Sequence, residues 1–294
     1  MKSLKVGMVQ QSCMENPTEN IEKSCQKIHL AAAQGAELVI LPELHSSSYF
    51  CQTEDVTNFD IAETIPGKTT QIFSDLAKKL SIVLVISLFE KRAAGIYHNT
   101  AVILEKDGSI AGTYRKMHIP DDPGYHEKFY FTPGDLGFNP ITTSVGKLGV
   151  LICWDQWYPE AARMMALAGA EIIIYPTAIG YDPNDEAPEQ QRQLTAWMMV
   201  QQGHAIANGL PIISVNRIGF EADPSQATPG IDFWGNSFIT GPQGEILGQA
   251  SAKEEELLCV DIDLNQSEKI RQIWPFFRDR RIDQYQELLK RFRD

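Results

Sequence analysis

Cys153 occupies a position where a cysteine could act as a nucleophile. It ends the apolar run that opens LGVLICWDQWYPE, residues 148–160, and a bend then leads into a helix with Pro159 in its first turn. Rigid backbone holds a cysteine at such a bend, and nearby free N–H groups favour both a thiolate and an oxyanion. Free cysteine is also among the most buried residue types, so this spacing alone leaves a purely structural role open.

Two further polar residues follow predicted strands, where the active sites of α/β folds gather. Glu43 follows the apolar run 38–41 in the motif LPE, and Lys116 follows the strand 110–114 in YRKMHIP. A glutamate or lysine at the end of a strand is usually solvated. The three residues therefore gain meaning only as a set.

Periodic apolar patterns predict the elements that must position these residues. Helices are predicted from Pro17 to Gly35, over 67–80, from Pro159 to Gly169, over 189–208, and after the aromatic run 274–277. Strands are predicted over residues 5–10, 38–41, 82–90, 98–104, 110–114, 171–175, 211–215, 233–239, 245–248 and 257–263. Residues 117–146 carry several Pro and Gly without a clear period, which indicates a long functional loop.

An internal repeat indicates how these elements assemble. GAELVILPE, residues 35–43, and GAEIIIYPT, residues 169–177, both consist of a helix-ending glycine, a buried strand and a proline. Two halves built alike predict an α/β fold of two related sheets, each covered by helices on one face. No linker or shift in composition divides the chain, so we expect a single domain over residues 1–294.

Composition narrows the cellular setting and the partners. Five cysteines without a C-x-x-C pair argue against a disulfide framework and a zinc site, which favours a reducing cytoplasm. We find neither a signal peptide nor a membrane span in the sequence. The net charge of −12 disfavours nucleic acid and anionic membranes as partners and is compatible with a small cationic substrate.

The motifs around Glu43, Lys116 and Cys153 resemble those of the nitrilase superfamily of carbon–nitrogen hydrolases, in the same order and over nearly the whole chain. The resemblance implies an α-β-β-α sandwich and an amidohydrolase without a cofactor or metal. Cys153 would then be the nucleophile and Glu43 the general base. Lys116 and the backbone N–H of Trp154 would stabilise the oxyanion. Glu127 matches a second glutamate that supports the lysine and the substrate in many members.

The residues after the nucleophile bear on the substrate. Members that hydrolyse N-carbamoyl-D-amino acids carry arginines there, whereas this chain has Gln156 and Trp157 and so lacks that clamp for a carboxylate. The missing arginines, the acid-rich loops and the net charge of −12 favour a cationic substrate. The runs ELHSSSYFCQTED, PDDPGYHEKFYFTPGD and WPFFRDRR resemble members of the superfamily whose substrate has an apolar stem and a terminal ammonium, so the resemblance implies such a substrate. The side chains predicted to line the stem are Tyr49, Phe129 and Trp154. The predicted partners of the ammonium are Glu186 first and Asp155 second, although Asp155 could instead cap the following helix.

Two other functions stay open at this point. One is another amidase of the superfamily, such as an ω-amidase or an N-carbamoyl-β-amino acid hydrolase. The other is a non-catalytic assembly module that kept the fold. The resemblance also implies a homo-oligomer, a dimer or a larger even assembly, in which residues 265–294 form a C-terminal extension at a subunit interface. The helix after Pro159 offers Ala162, Met165 and Ala166 to a partner.

Overall fold

Two six-stranded sheets form the centre of the computed structural model, which describes residues 3–293. The strands are β1 Ser3–Gln10, β2 Leu38–Ile40, β3 Val83–Ala93, β4 Ile96–Leu104, β5 Ile110–Arg115, β6 Ile141–Thr143, β7 Gly146–Val150, β8 Ile172–Pro176, β9 Gly180–Tyr181, β10 Ile212–Val215, β11 Ile218–Ala222, β12 Gly230–Trp234, β13 Phe238–Thr240, β14 Ile246–Gln249 and β15 Glu256–Asp263. The α-helices are α1 Pro17–Ala33, α2 Lys68–Leu80, α3 Glu127–Tyr130, α4 Pro159–Leu167, α5 Ala187–Asn208 and α6 Asn265–Ile273. Short 3₁₀ turns cover Phe50–Gln52, Val56–Ile61, Cys153–Trp157, Pro275–Phe277, Ile282–Gln284 and Gln286–Leu289.

The two large sheets repeat one topology. The first has the order β15-β1-β2-β3-β4-β5, and the second, read from its other edge, has the order β6-β7-β8-β10-β13-β14. In both sheets the successive pairings are antiparallel, parallel, parallel, antiparallel and antiparallel. The predicted repeat therefore places β2 and β8 at equivalent positions, and the prediction of two related halves is confirmed.

Alternating side chains build the four layers. In β1, Val6 and Met8 belong to a buried cluster shared with the second sheet, whereas Val9 packs in the cluster that contains Ile28 of α1 and Phe73 of α2. Successive side chains of a strand point to opposite faces, so the first sheet buries one face against the second sheet and the other against helices. Helices α4 and α5 cover the second sheet. The predicted α-β-β-α sandwich is confirmed.

The predicted start of α1 shows how local sequence sets an element. The side chain of Asn16 accepts a hydrogen bond from the backbone N–H of Thr18 at 3.0 Å, and Pro17 occupies the first turn. Such a cap contributes about 1 kcal/mol to helix stability. The helix ends before Gly35, which adopts φ +85° as a residue without a Cβ readily does.

Several predicted elements were wrong in detail. The segment 233–239 is two strands, β12 and β13, and β12 belongs to a third, three-stranded sheet of order β11-β12-β9. The predicted loop 117–146 contains α3 and β6. The last α-helix, α6, precedes the aromatic run 274–277 instead of following it. The strands of this sheet have only two to five residues, and a glycine begins or interrupts each of them, so their periodic signal is weak, which explains the missing sheet.

The apolar stripe expected at a subunit interface lies inside the chain. Ala162, Met165 and Ala166 of α4 are buried in the cluster that includes the two sheets, so they cannot meet a partner. Met164 and Leu167 are the large apolar side chains exposed on this helix. Among the described residues, no helix combines the length and apolarity needed to cross a membrane.

Candidate active site

Cys153 begins a 3₁₀ turn immediately beyond the second sheet. Its backbone has φ +43°, in the left-handed region that a residue with a Cβ seldom occupies. Such strain costs on the order of 1–3 kcal/mol and is concentrated at functional sites of proteins. The side chain is only 5% exposed, and its Sγ lies 3.7 Å from the carbonyl oxygen of Ala178, just after β8. The turn therefore holds the thiol at the end of the parallel strands β7 and β8.

Lys116 links two buried carboxylates beside this thiol. Its Nζ donates to Oε1 of Glu43 at 2.8 Å and to Oε2 of Glu127 at 2.6 Å. All three side chains are at most 1% exposed. Oε1 of Glu43 also accepts a hydrogen bond from Nδ2 of Asn99 at 2.6 Å. Within residues 3–293, Oε2 of Glu43 has no hydrogen-bond partner, which leaves this oxygen able to accept a proton.

The charges of this cluster act on one another because water is excluded from it. Burial and the negative charge of Glu43 raise the pKa of the Cys153 thiol well above its usual value, while Lys116 opposes this shift. Burial opposes the charge of Lys116, but Glu127 and Glu43 together raise its pKa well above normal. Burial and the nearby Glu43 raise the pKa of Glu127 to about 7. The resting site thus contains a neutral thiol beside a charged ammonium, and the thiol needs a base to become a nucleophile.

A second buried network supports the two glutamates from behind. The guanidinium of Arg217 donates to the carbonyl oxygens of Glu43 at 3.1 Å and Leu44 at 2.6 Å, and pairs with Glu221 at 2.9 Å. The other oxygen of Glu221 accepts from the backbone N–H of Tyr49 at 2.5 Å. The hydroxyl of Tyr49 donates to Glu127 at 2.6 Å. This chain of contacts therefore joins residues from both halves of the fold to the main chain at Glu43 and to the carboxylate of Glu127.

A cleft of about 420 Å³ opens above Cys153 and Glu127. Its walls are mainly apolar and include Trp154, Trp157 and Trp234. The remaining charged residues that line it are Asp122, Asp182 and Asp185, all closer to solvent than the buried thiol. Among the described residues that line the cleft, there is no lysine or arginine.

The structure brings Cys153, Glu43, Lys116 and Glu127 together, whereas it distributes the predicted substrate-binding residues more widely. Trp154 lines the cleft. Tyr49 is buried behind Glu127, to which its hydroxyl is bonded, and is not part of the cleft wall. Phe129 packs among Phe59 and Tyr130 at a separate surface pocket. Glu186 is exposed, precedes α5 and does not line the cleft.

Asp155 lies outside the cleft wall and joins the segments of two predicted catalytic residues instead. Its carboxylate accepts hydrogen bonds from the hydroxyl of Tyr114 at 2.8 Å, the backbone N–H of Ile152 at 2.9 Å and the backbone N–H of His118 at 3.0 Å. Nδ1 of His118 lies 2.7 Å from the same carboxylate. Asp155 is fully buried, so the contacts do not support its predicted role in holding the substrate ammonium. They tie the segment of Lys116 to the turn of Cys153.

Two residues of the site were not predicted from the sequence. Asn99 lies within β4, where HNT interrupts an apolar strand, and a buried amide in such a run needs a partner. Arg217 lies two residues after the apolar strand β10 in VNR, just as Glu43 lies two residues after the apolar run 38–41. Both signals were available, but neither identifies the partner atom. Among residues 3–293, no three His, Cys, Asp or Glu side chains form a group that could hold a metal ion.

Comparison with known proteins places this geometry in a family. The family model described as carbon-nitrogen hydrolase matches residues 5–272. The chain belongs to the carbon-nitrogen hydrolase family, within the nitrilase superfamily. It is 44% identical to the N-carbamoylputrescine amidase of Oryza sativa subsp. japonica, with 97% of this chain and 94% of the relative covered.

Two further relatives cover almost the whole chain. The citrullinase of Francisella tularensis is 43% identical over 99% of this chain and 100% of its own. A carbon-nitrogen hydrolase of Helicobacter pylori G27, known from its crystal structure, is 55% identical with a TM-score of 0.97, covering 99% of this chain and 100% of its own. As a carbon-nitrogen hydrolase, this chain is an enzyme that acts on carbon–nitrogen bonds other than peptide bonds.

Proposed function

We propose that the enzyme hydrolyses N-carbamoylputrescine to putrescine, carbon dioxide and ammonia through a covalent intermediate on Cys153. One observation carries the proposal: the thiol and its Glu43–Lys116–Glu127 cluster lie beneath a cleft whose other charged lining residues are all acidic. An apolar cleft with an acidic mouth suits a substrate with a carbamoyl group at one end and an ammonium at the other. The plant relatives named for this substrate support the same choice.

The first half of the reaction forms a thiocarbamate between the carbamoyl carbon and Sγ of Cys153. Glu43 accepts the thiol proton through Oε2 while Sγ of Cys153 attacks the carbamoyl carbon. Lys116 and the backbone N–H of Trp154 stabilise the oxyanion that forms, and one such donor is typically worth about 3 kcal/mol. The tetrahedral intermediate then collapses. The bond from the carbamoyl carbon to the terminal NH2 group breaks, Glu43 returns the proton to this nitrogen, and ammonia departs.

The second half regenerates the thiol. Glu43 takes a proton from water as the water oxygen attacks the thiocarbamate carbon, and the C–S bond breaks as Sγ recovers the proton. The product is the carbamate of the amine, which loses carbon dioxide to give putrescine. One water is consumed for each carbamoyl group, so atoms and charge balance. Glu127 keeps Lys116 in place throughout by its ion pair.

Citrulline is the second candidate substrate, because the Francisella citrullinase is similar over its whole length. Citrulline has the same carbamoyl group, but its far end carries a carboxylate as well as an ammonium. A carboxylate at the acidic mouth would face like charges and, among the described lining residues, no cationic side chain. We therefore favour the diamine.

A specificity comparison tests this choice. Ammonia release is measured with N-carbamoylputrescine, L-citrulline and N-carbamoyl-4-aminobutyrate, whose stem is nearly the same but ends in a carboxylate. We expect the highest kcat/KM for N-carbamoylputrescine. The Cys153→Ala variant should release no ammonia from any of the three compounds. A higher kcat/KM for citrulline or the acid would contradict the proposed substrate, and activity of Cys153→Ala would contradict the mechanism.

Assembly and location complete the proposal. The carboxy-terminal segment after α6 exposes large apolar side chains, including Trp274, Leu288, Leu289 and Phe292, which supports a homo-oligomer with residues 265–294 at the interface. Light scattering at the mass of one chain would contradict this. The five cysteines are free in the structure, in keeping with a cytoplasmic protein.

A further inference from the structure

The thiol and the carboxylates that line the cleft differ in depth and in support. Cys153 and Glu127 are buried at its base, whereas Asp122 and Asp182 are exposed at its mouth and Asp185 is half-buried. A substrate that reaches the thiol with its carbamoyl carbon must extend its stem past the tryptophan walls toward these acids. Three carboxylates are therefore candidates to bind the end of the substrate that lies away from its carbamoyl group.

Asp185 is the carboxylate that the fold holds in place. Its Oδ2 accepts a hydrogen bond from Nε2 of Gln193 at 2.9 Å, and Gln193 itself lines the cleft. Its backbone carbonyl accepts from Nε2 of Gln190 at 3.1 Å, so α5 anchors both the main chain and the side chain. Within residues 3–293, no donor bonds its Oδ1. Asp185 thus offers one positioned, free oxygen to the cleft.

The other two acids lack this combination. Asp182 is exposed, and its Oδ1 accepts the backbone N–H of Asn184 at 2.9 Å, so it caps its own turn. Asp122 is also exposed, and it lies on a turn closed by the backbone pairing with Tyr125. A solvated, loosely held carboxylate contributes little to an ion pair, whereas a partly buried and fixed one contributes more.

We propose that Asp185, positioned by Gln193, binds the terminal ammonium of the substrate and sets the preference for a cationic end. This assignment rests on the proposed function for the identity of the substrate. The ammonium donates to the free Oδ1, while the apolar stem packs between Trp157 and Trp234. Since the carboxylate is already oriented, binding loses little side-chain entropy.

The test compares Asp185→Asn with Glu186→Gln. Each variant removes one negative charge without a large change in volume, and the two residues are adjacent, but Glu186 does not line the cleft. We measure the ratio of kcat/KM for N-carbamoylputrescine to that for N-butylurea, which has the same stem without the ammonium. We expect this ratio to fall about 10- to 100-fold in Asp185→Asn and to change less than about twofold in Glu186→Gln.

A binding measurement separates this assignment from the proposed function. Putrescine should protect Cys153 from alkylation by iodoacetamide, and Asp185→Asn should raise the half-protecting concentration about 10- to 100-fold. If the wild type releases no ammonia from N-carbamoylputrescine, the proposed function fails. The protection of Cys153 by putrescine then still tests whether Asp185 binds an ammonium. An unchanged ratio or unchanged protection in Asp185→Asn, or an equal change in Glu186→Gln, would overturn the assignment.

Discussion

Arg217 fixes the position of Glu43 through the main chain. Its Nε donates to the carbonyl oxygen of Glu43 at 3.1 Å, although 174 residues separate them in sequence. The next residue, Leu44, has φ +49° and gives its carbonyl to the same guanidinium. β2 of the first sheet and β10 of the second thus end at one clamp, which fixes the main chain at Glu43.

Loss of this clamp should lower stability and turnover together. Arg217→Met leaves the buried carboxylate of Glu221 unpaired, so we expect the free energy of unfolding to fall by about 3–5 kcal/mol. Denaturant titration measures this change. The matched control is Arg192→Met, because Arg192 forms an exposed pair on α5 and its loss should cost less than about 0.5 kcal/mol. Equal unfolding midpoints for the two variants would contradict the clamp.

The pH dependence should report the carboxylate cluster. Burial beside Glu43 raises the pKa of Glu127 to about 7, and its ionised form is the one that pairs with Lys116. We therefore expect kcat/KM to decline below about pH 7. This acidic limb of the pH profile should shift in Glu127→Gln. A profile from pH 5 to 9 for both proteins gives the answer, and an identical limb in both would argue against Glu127.

The same group has a defined effect on stability. Its pKa in the folded protein lies above the ordinary value of 4.5, so the folded protein keeps this proton longer than the unfolded chain does. The contribution of Glu127 to the free energy of unfolding should therefore decrease as the pH rises from about 4.5 to about 7. Denaturant titrations across this range should show the decrease in the wild type and lose it in Glu127→Gln. The same slope in the two proteins would exclude Glu127 as its source.

Glu43 should affect the thiol in two separable ways. Its charge raises the pKa of Cys153, so Glu43→Gln should lower that pKa, as read from the pH dependence of alkylation by iodoacetamide. The same variant loses the base, which is typically worth ~10²–10⁴ in rate. A more readily ionised thiol in an inactive enzyme is the expected combination. Turnover close to that of the wild type would refute the role of Glu43 as base.

Asp155 should influence kcat more than KM, because it holds the segments of Lys116 and Cys153 together without lining the cleft. Asp155→Asn removes a charged acceptor and should reduce kcat about tenfold or more while KM changes little. The exposed Asp121 supplies the control variant, Asp121→Asn. A rise in KM at constant kcat would instead restore Asp155 as a contact of the substrate.

A chelator should leave the rate unchanged, because a Cys–Glu–Lys site needs no ion. Dialysis against EDTA followed by an ammonia assay checks this, with alkylation of Cys153 as the positive control for inactivation. Activity that is lost on dialysis and returns with zinc would show that a metal site was missed.

The sequence places Glu43, Lys116 and Cys153 each after a strand, and strand ends converge at one edge of an α/β fold. The resemblance of their motifs to the nitrilase superfamily is what selected the three as a reactive set. The repeated GAE motif likewise predicted the two sheets. The sequence did not predict which side chains line the cleft. Glu186 and Asp185 are adjacent in one loop, yet of the two only Asp185 lines the cleft. Tyr49 has an aromatic side chain of the kind that could pack against an apolar stem, but it lies behind Glu127. The partners of Arg217 lie far away in the chain, and tertiary packing alone brings them within hydrogen-bond distance, where burial makes each unpaired charge costly.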